Sequence, residues 1–243
     1  MAAQAMILAA GRGERMRPLT DQCPKPLLRV HGRPLMGYHL AALAREGVAE
    51  VVVNTAWLGE QIEQHYGMTT PEGVRIRYSH EGRDFGGALE TAGGILRALP
   101  LLDEVFWLVA GDVFMPRFRF AREALERFAA GDKLAHLFLV PNPEHNPRGD
   151  FGLRADGLAL SAADQRFTYS TTGLFRRSFF AGQPAGNPAG LKLALAPLLR
   201  AAMDRGEVSA ELYTGSWTDV GTPQRLDTLN AAPAPWTDAR PEG

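Results

Sequence analysis

The sequence predicts an α/β protein, Rossmann-like, with a mostly parallel central sheet covered by helices on both faces. Three observations predict it. Short apolar runs alternate with segments of helical period over the first half of the chain, which is the rhythm of βαβ units. The first apolar run, Met6-Ile7-Leu8-Ala9-Ala10, breaks into the two-glycine turn Gly11-Arg12-Gly13, and turns of this kind lie at the carboxyl ends of parallel strands. With 243 residues, 45% of them hydrophobic, the chain can bury one substantial core, so residues 1–230 are expected to form a single domain with a loose tail over 231–243.

The elements follow in order. Residues 5–10 form the first strand, and a helix over 34–46 opens at Pro34, whose fixed φ suits a first turn, and closes at Gly47. A second strand covers 48–54, a helix 57–66, a strand 74–79 and a helix 90–99. Residues 105–110 make a buried strand ending at Gly111-Asp112, and a helix over 120–130 precedes the apolar strand 134–140. The proline, asparagine and glycine of 141–149 predict a loop, and Asp156-Gly157 predicts the turn of a hairpin spanning 151–160. A strand at 167–175 comes next, then a helix over 191–205 with Gly206 past its end, then strands at 208–213 and 217–220. The run Ala231-Ala232-Pro233-Ala234-Pro235 marks the tail.

Composition narrows the partners. A formal net charge of −1 gives no general surface for nucleic acid or an anionic membrane, so the basic residues near the start act locally, on a small partner. Cys23 is the sole cysteine, which leaves neither a disulfide framework nor a Cys-rich metal cluster. No long apolar span is present, and Met1-Ala2-Ala3-Gln4 runs straight into a strand without a secretion signal. The expected location is the cytoplasm, and nothing in the sequence specifies an oligomeric state.

The turn after the first strand carries the chemistry. Gly11-Arg12-Gly13-Glu14-Arg15-Met16 lacks the third glycine of a dinucleotide fingerprint, and no Gly-Lys-Ser/Thr follows at P-loop spacing. Gly11 and Gly13 can adopt angles closed to other residues and turn N–H groups toward an anion. Arg15 and Lys25, the latter inside Pro24-Lys25-Pro26, add mobile positive charge.

Taken together, the strand, both glycines, Arg15, Pro18, Thr20 and Lys25 resemble the signature of the sugar-1-phosphate nucleotidyltransferases, Leu-Ala-x-Gly-x-Gly-Thr-Arg-Leu-x-Pro-x-Thr followed by Pro-Lys-Pro. Glu14 stands where much of that family has threonine. With Tyr38-His39-Leu40 and Asn54-Thr55-Ala56-Trp57-Leu58-Gly59, it resembles the branch of uridylyltransferases acting on N-acetylmuramic acid 1-phosphate in cell-wall recycling. The resemblance implies the nucleotidyltransferase, GT-A-like form of the fold, two substrates, a nucleoside triphosphate and a sugar 1-phosphate, and Mg²⁺ as cofactor.

It also implies roles by position. Ala9, Ala10, Gly11, Gly13, Glu14, Arg15 and Lys25 surround the triphosphate, with Arg15, Lys25 and Asp112 as the catalytic residues. Asp112 and Asp219, the latter in Trp217-Thr218-Asp219-Val220-Gly221-Thr222, supply the carboxylates that magnesium commonly takes alongside phosphate oxygens and waters. Alone, each aspartate reads equally as a turn residue or helix cap. Leu89 and Thr91 fall in the segment the family uses for the base, and Glu81 reads either as a base contact or as a solvated charge. Residues 83–88 look like an insertion beside that branch.

Ala110, Asp150, Lys192 and Trp217 are assigned to the sugar phosphate. Lys192 would join a cation to a helix N-terminus at one anion site. Trp217, two residues before Asp219 on one strand, would share its face, although a core role suits an indole as well. Ala110 replaces an expected asparagine, and Ser170-Thr171-Thr172-Gly173 departs from Ser-Gly-Ile-Ser.

The implied reaction is attack by a sugar-phosphate oxygen on the α-phosphorus of the triphosphate, with release of pyrophosphate. The nucleophile is already ionised, so the protein's task is to position two anions and to offset charge on the leaving group. A guanylyltransferase using mannose 1-phosphate, a glycosyltransferase of related architecture and a non-catalytic nucleotide-sugar sensor remain the alternatives.

Overall fold

The computed structural model describes residues 4–234. The chain opens with β1 (Gln4–Leu8), the short hairpin β2 (Arg29–Val30) and β3 (Arg33–Pro34), and α1 (Leu35–Arg45). β4 (Glu50–Thr55), α2 (Gly59–Tyr66), β5 (Arg75–His80), α3 (Glu81–Phe85) and α4 (Glu90–Ala98) follow, then β6 (Val105–Ala110) and β7 (Val113–Phe114). The second half holds α5 (Arg122–Ala130), β8 (Ala135–Val140), β9 (Gly152–Leu153), β10 (Ala159–Leu160), β11 (Thr168–Arg176), α6 (Leu195–Asp204), β12 (Val208–Leu212), β13 (Thr218–Asp219) and α7 (Pro223–Ala231). From residue 235 on, the expected tail lies outside the described residues.

Seven strands form one sheet in the order β12-β8-β11-β6-β1-β4-β5, and every strand but β11 runs in the same direction. The mostly parallel expectation is therefore met. Strand alternation sends neighbouring residues to opposite faces, which explains the uninterrupted apolar runs of β1, β4 and β6. Ile7, Val51, Val53, Trp107 and Val109 pack with Leu40, Leu43, Ile62 and Phe128. Met6, Val52, Phe106 and Leu108 pack on the other face with Ile95, Leu96, Leu199 and Met203. Burial of each such side chain contributes about 1.5–3 kcal/mol.

Helix α6 begins at Leu195 rather than at residue 191. Pro197 is the reason. It falls in the first turn of α6, where the missing N–H costs nothing, whereas a start at 191 would put it in a helix interior and remove a hydrogen bond there. Residues 191–194 instead run along α4: Leu193 N donates to the Leu89 carbonyl, Gly93 N donates to the Leu193 carbonyl, and buried Asn187 bonds both backbone groups of Leu191.

The strand expected at 217–220 is reduced to β13, which pairs antiparallel with β7 apart from the main sheet, Thr218 opposite Phe114 and Asp219 opposite Val113. A third apolar cluster, including Met16, Val30, Leu35, Tyr38, Phe114, Val220 and Leu226, binds this ladder to the opening loop and to α7. The ladder is what sets Asp219 beside Asp112.

Candidate active site

A cavity of about 670 Å³ opens at the carboxyl ends of β1, β4 and β6, the crevice that parallel α/β sheets offer to ligands. Of the residues singled out in the sequence, Ala9, Ala10, Gly11, Lys25, Glu81, Thr91, Ala110, Asp112 and Asp150 line it. Gly13, Glu14, Arg15, Leu89, Lys192, Trp217 and Asp219 do not.

The opening loop owes its shape to a few contacts. Gly13 is in the left-handed region at φ 67° and begins a short 3₁₀ turn over Glu14–Met16. A Cβ there would approach Thr20 Cγ2 to 3.0 Å, while Thr20 Oγ1 donates to the Gly13 carbonyl at 2.9 Å. Gly11 differs: a Cβ there would meet no protein atom, so packing does not require glycine and the bare backbone faces open space.

The cations of this segment have separate tasks. Arg12 donates to the Thr20 carbonyl at 2.9 Å and to Asp21 at 2.7 Å, and Arg17 donates to the same Asp21 oxygen at 2.9 Å. Asp21 is accordingly held below the usual carboxylate range, chiefly by its bond from Arg12. Lys25 is buried, with Nζ 2.6 Å from Asp112 Oδ2. Arg15 is exposed and, among the described residues, has no hydrogen-bond or ion-pair partner.

Asp112 follows β6, and its carbonyl accepts from Val220 N at 3.2 Å, which ties it to the strand carrying Asp219. His39 lies beneath. Its Nε2 is 2.9 Å from the Val113 carbonyl, so that nitrogen carries the proton, and complete burial lowers the ring's pKa to about 4. The two carboxylates fit Mg²⁺, a hard cation that takes oxygen ligands. No group of three or more His, Cys, Asp or Glu suited to a metal exists among the described residues, so phosphate oxygens and waters would complete the shell.

One chain of buried hydrogen bonds joins the opening loop to α3 and the turn before α4. Ala9 N donates to Asn54 Oδ1 at 2.8 Å, Asn54 Nδ2 to Glu81 Oε1 at 2.6 Å, and Leu89 N to Glu81 Oε2 at 2.7 Å. Glu81 is fully buried, with its pKa raised by that burial, which corrects the solvated alternative. Both oxygens already hold protein donors. Residues 83–88, read as an insertion, complete α3 and a turn that brings Leu89 to Glu81. Glu90, at the cavity wall, has φ 63°, a conformation that costs a non-glycine residue about 1–3 kcal/mol and that clusters at ligand sites.

At the far end, Asp150 accepts from Tyr169 N at 2.8 Å and from Asn146 at 3.2 Å. Thr171, at φ 60° in a break of the β11 register, adds a strained cavity residue from the divergent Ser-Thr-Thr-Gly segment. Two assignments are corrected. Lys192 is exposed and three residues short of α6, because Pro197 delays the helix, so no helix end and cation meet there. Trp217 precedes β13 instead of lying in it; its indole donates to the Ser170 carbonyl at 3.1 Å and packs on the core. A half-buried indole N–H needs such a partner.

Arg200 was missed. It lines the cavity with its guanidinium 5.0 Å above the Phe151 ring and Nη1 donating to the Ser161 carbonyl at 2.6 Å. The signal was its place one residue after buried Leu199, at the border of the apolar face of α6.

A cavity at the carboxyl ends of parallel strands, walled by a bare glycine turn and a buried lysine–aspartate contact, defines an α/β protein with a ligand crevice at its sheet. The chain belongs to the nucleotidyl transferase family, whose sequence pattern matches residues 4–157. It is 47% identical over 241 residues, covering 96% of this chain and 99% of the relative, to the N-acetylmuramate alpha-1-phosphate uridylyltransferase of Neisseria meningitidis serogroup B. The Caulobacter vibrioides protein of the same name is 32% identical over 90% of this chain and 92% of its own length. The fold matches a crystal structure from Bacillus anthracis, assigned as a glucose-1-phosphate thymidylyltransferase, with TM-score 0.79 and 19% identity over 94% of each chain. No described helix is long and apolar enough to cross a membrane.

Proposed function

We propose that this chain joins UTP to N-acetylmuramic acid 1-phosphate, releasing pyrophosphate and forming the uridine diphosphate sugar, with residues 1–230 acting as one catalytic domain. Identity of 47% along nearly the whole of both chains to a uridylyltransferase of that name supports the substrates. The observation that carries the chemistry is the Lys25–Asp112 contact beside the β7–β13 ladder, with Arg15 in the same loop exposed and without a hydrogen-bond or ion-pair partner among the described residues.

The bare turn at Gly11 and the left-handed Gly13 leave room for the triphosphate to approach backbone N–H groups. Arg15 supplies charge to the β- and γ-phosphates, and Lys25 turns from Asp112 to the phosphates at the reacting centre. Mg²⁺, held by Asp112 and Asp219, would offset the charge that builds on the departing pyrophosphate. Asn54 and Glu81 brace the base side through Leu89 and the turn before Thr91. An oxygen of the sugar's 1-phosphate, already ionised at neutral pH, attacks the α-phosphorus in line as the bond to pyrophosphate breaks, so no covalent intermediate with the protein is needed. Arg200 places a cation at the sugar end, which favours a sugar carrying a carboxylate of its own.

A pyrophosphate-release matrix of four nucleoside triphosphates against several sugar 1-phosphates tests the reading. UTP with N-acetylmuramic acid 1-phosphate is expected to turn over fastest, and to stop when the divalent cation is chelated. Preference for GTP with mannose 1-phosphate would make the chain a guanylyltransferase, and binding without turnover would make it a sensor.

A further inference from the structure

The two carboxylate oxygens of Asp219 are not equivalent. Arg225 Nη1 donates to Oδ2 at 2.8 Å and to the Asp219 carbonyl at 3.1 Å, while His145 Nε2, from the loop after β8, lies 3.3 Å from the same Oδ2. Oδ1 makes no hydrogen bond or ion pair among the described residues. The arrangement is built in: Thr222 caps α7 and accepts from Arg225 N, and a Cβ at Gly221 would come within 2.8 Å of Arg225 Nη1 and 3.1 Å of both Asp219 oxygens. Glycine at 221 leaves the ion pair its space.

We propose that Arg225, assisted by His145, is a positioning residue that pins Oδ2 of Asp219 and thereby presents Oδ1 to the divalent cation shared with Asp112. The inference rests on the reading of Asp112 and Asp219 as the metal ligands. A carboxylate free to rotate would spread its oxygens over several rotamers, and ordering it would oppose metal binding; a charge-assisted bond removes that freedom in advance. Arg225 holds both the side chain and the carbonyl of Asp219 through one nitrogen, Nη1, whose two N–H directions are fixed in the guanidinium plane, whereas an ammonium on its flexible stem brings no such fixed geometry. His145 brings the loop between Val140 and Asp150 to the same oxygen, so the loop that ends at the cavity's Asp150 is anchored at the metal carboxylate.

Mn²⁺, counted as free ion by electron paramagnetic resonance in the presence of a non-hydrolysable UTP analogue, tests this on the whole chain. Partners that orient a metal's own ligands typically change affinity 10–100-fold. Arg225→Met is expected to weaken Mn²⁺ at least about 10-fold, Arg225→Lys less, and His145→Asn less again, with analogue binding in EDTA unchanged. Should the Met variant fail to fold, the Lys variant carries the test, and it must bind Mn²⁺ several-fold more weakly than the parent. Asp219→Asn is the reference. If it weakens Mn²⁺ while both Arg225 variants bind as the parent does, the positioning role is overturned and the metal site stands. If Asp219→Asn also binds normally, the metal reading itself is overturned, and the proposal with it.

Discussion

The Arg12 guanidinium lies 3.8 Å from the centroid of the Trp57 ring, and both residues donate to one acceptor, the Thr20 carbonyl, at 2.9 and 2.8 Å. Trp57 is aimed there by Leu58, which adopts φ 49° before α2. An arginine in the middle of the glycine turn is thus occupied in bracing the loop. Arg15 is exposed and has no hydrogen-bond or ion-pair partner among the described residues.

Loss of the brace should loosen the loop without removing its charge. A stacked cation contributes about 0.5–2 kcal/mol and each hydrogen bond about 1 kcal/mol. Arg12→Ala and Trp57→Leu are therefore expected to raise KM for the nucleotide about 10-fold with a much smaller change in kcat. Trp57→Phe keeps the stack and should fall between. A collapse of kcat with KM unchanged would show that Arg12 meets the reacting phosphates.

Arg15→Ala should do the opposite. Because Arg15 is exposed and makes no hydrogen bond or ion pair among the described residues, thermal stability should stay within about 0.5 kcal/mol of the parent, as for a surface change. Pyrophosphate release should drop on the order of 10³-fold by analogy with arginine clamps in other phosphoryl transfers. Near-normal turnover would remove Arg15 from the mechanism.

His39 makes stability depend on acid. Its pKa falls from 6.5 unfolded to about 4 in the fold, first because of burial, so the unfolded chain binds the extra proton between those values. Stability conferred by the neutral ring is complete above pH 6.5 and is lost as pH falls toward 4, by about 3 kcal/mol in all. His39→Gln, which can still donate to the Val113 carbonyl, should flatten this limb in urea titrations between pH 7 and 4. An unchanged slope would mean that other groups dominate it.

Gly94 lies under the bond chain between Asn54 and Glu81. A Cβ there would collide with Glu81 Oε1 and come within 2.8 Å of Asn54 Nδ2. Gly94→Ala is expected to cost about 1–3 kcal/mol in chemical unfolding, the range for overfilling a packed site. Asn54 and Glu81 both line the cavity, so nucleotide affinity should fall with it. Loss of stability with full affinity would separate the network from base binding.

Much of the molecule was legible in the amino-acid order because it depends on local rules. The apolar runs of β1, β4 and β6 and the helical periods between them specify a layered parallel sheet, and the glycines, Arg15 and Lys25 follow one strand closely enough to be read as one loop. Pro197 was equally legible as a limit on α6, yet the helical period through Leu195 and Leu199 outweighed it.

Spacing could not show which charges face one another across the fold. Lys25 meets Asp112 over 87 positions and Arg12 meets Trp57 over 45, while His145 reaches Asp219 only because β13 pairs with β7. Arg12 and Arg15 look alike in the sequence, but Trp57, Thr20 and Asp21 occupy Arg12, whereas Arg15 has no hydrogen-bond or ion-pair partner among the described residues. The sequence by itself determined the sheet, the glycine loop after its first strand and the family. Tertiary structure decided the partner of each charged group, because those partners come from distant elements brought together by burial of the two apolar faces of the sheet.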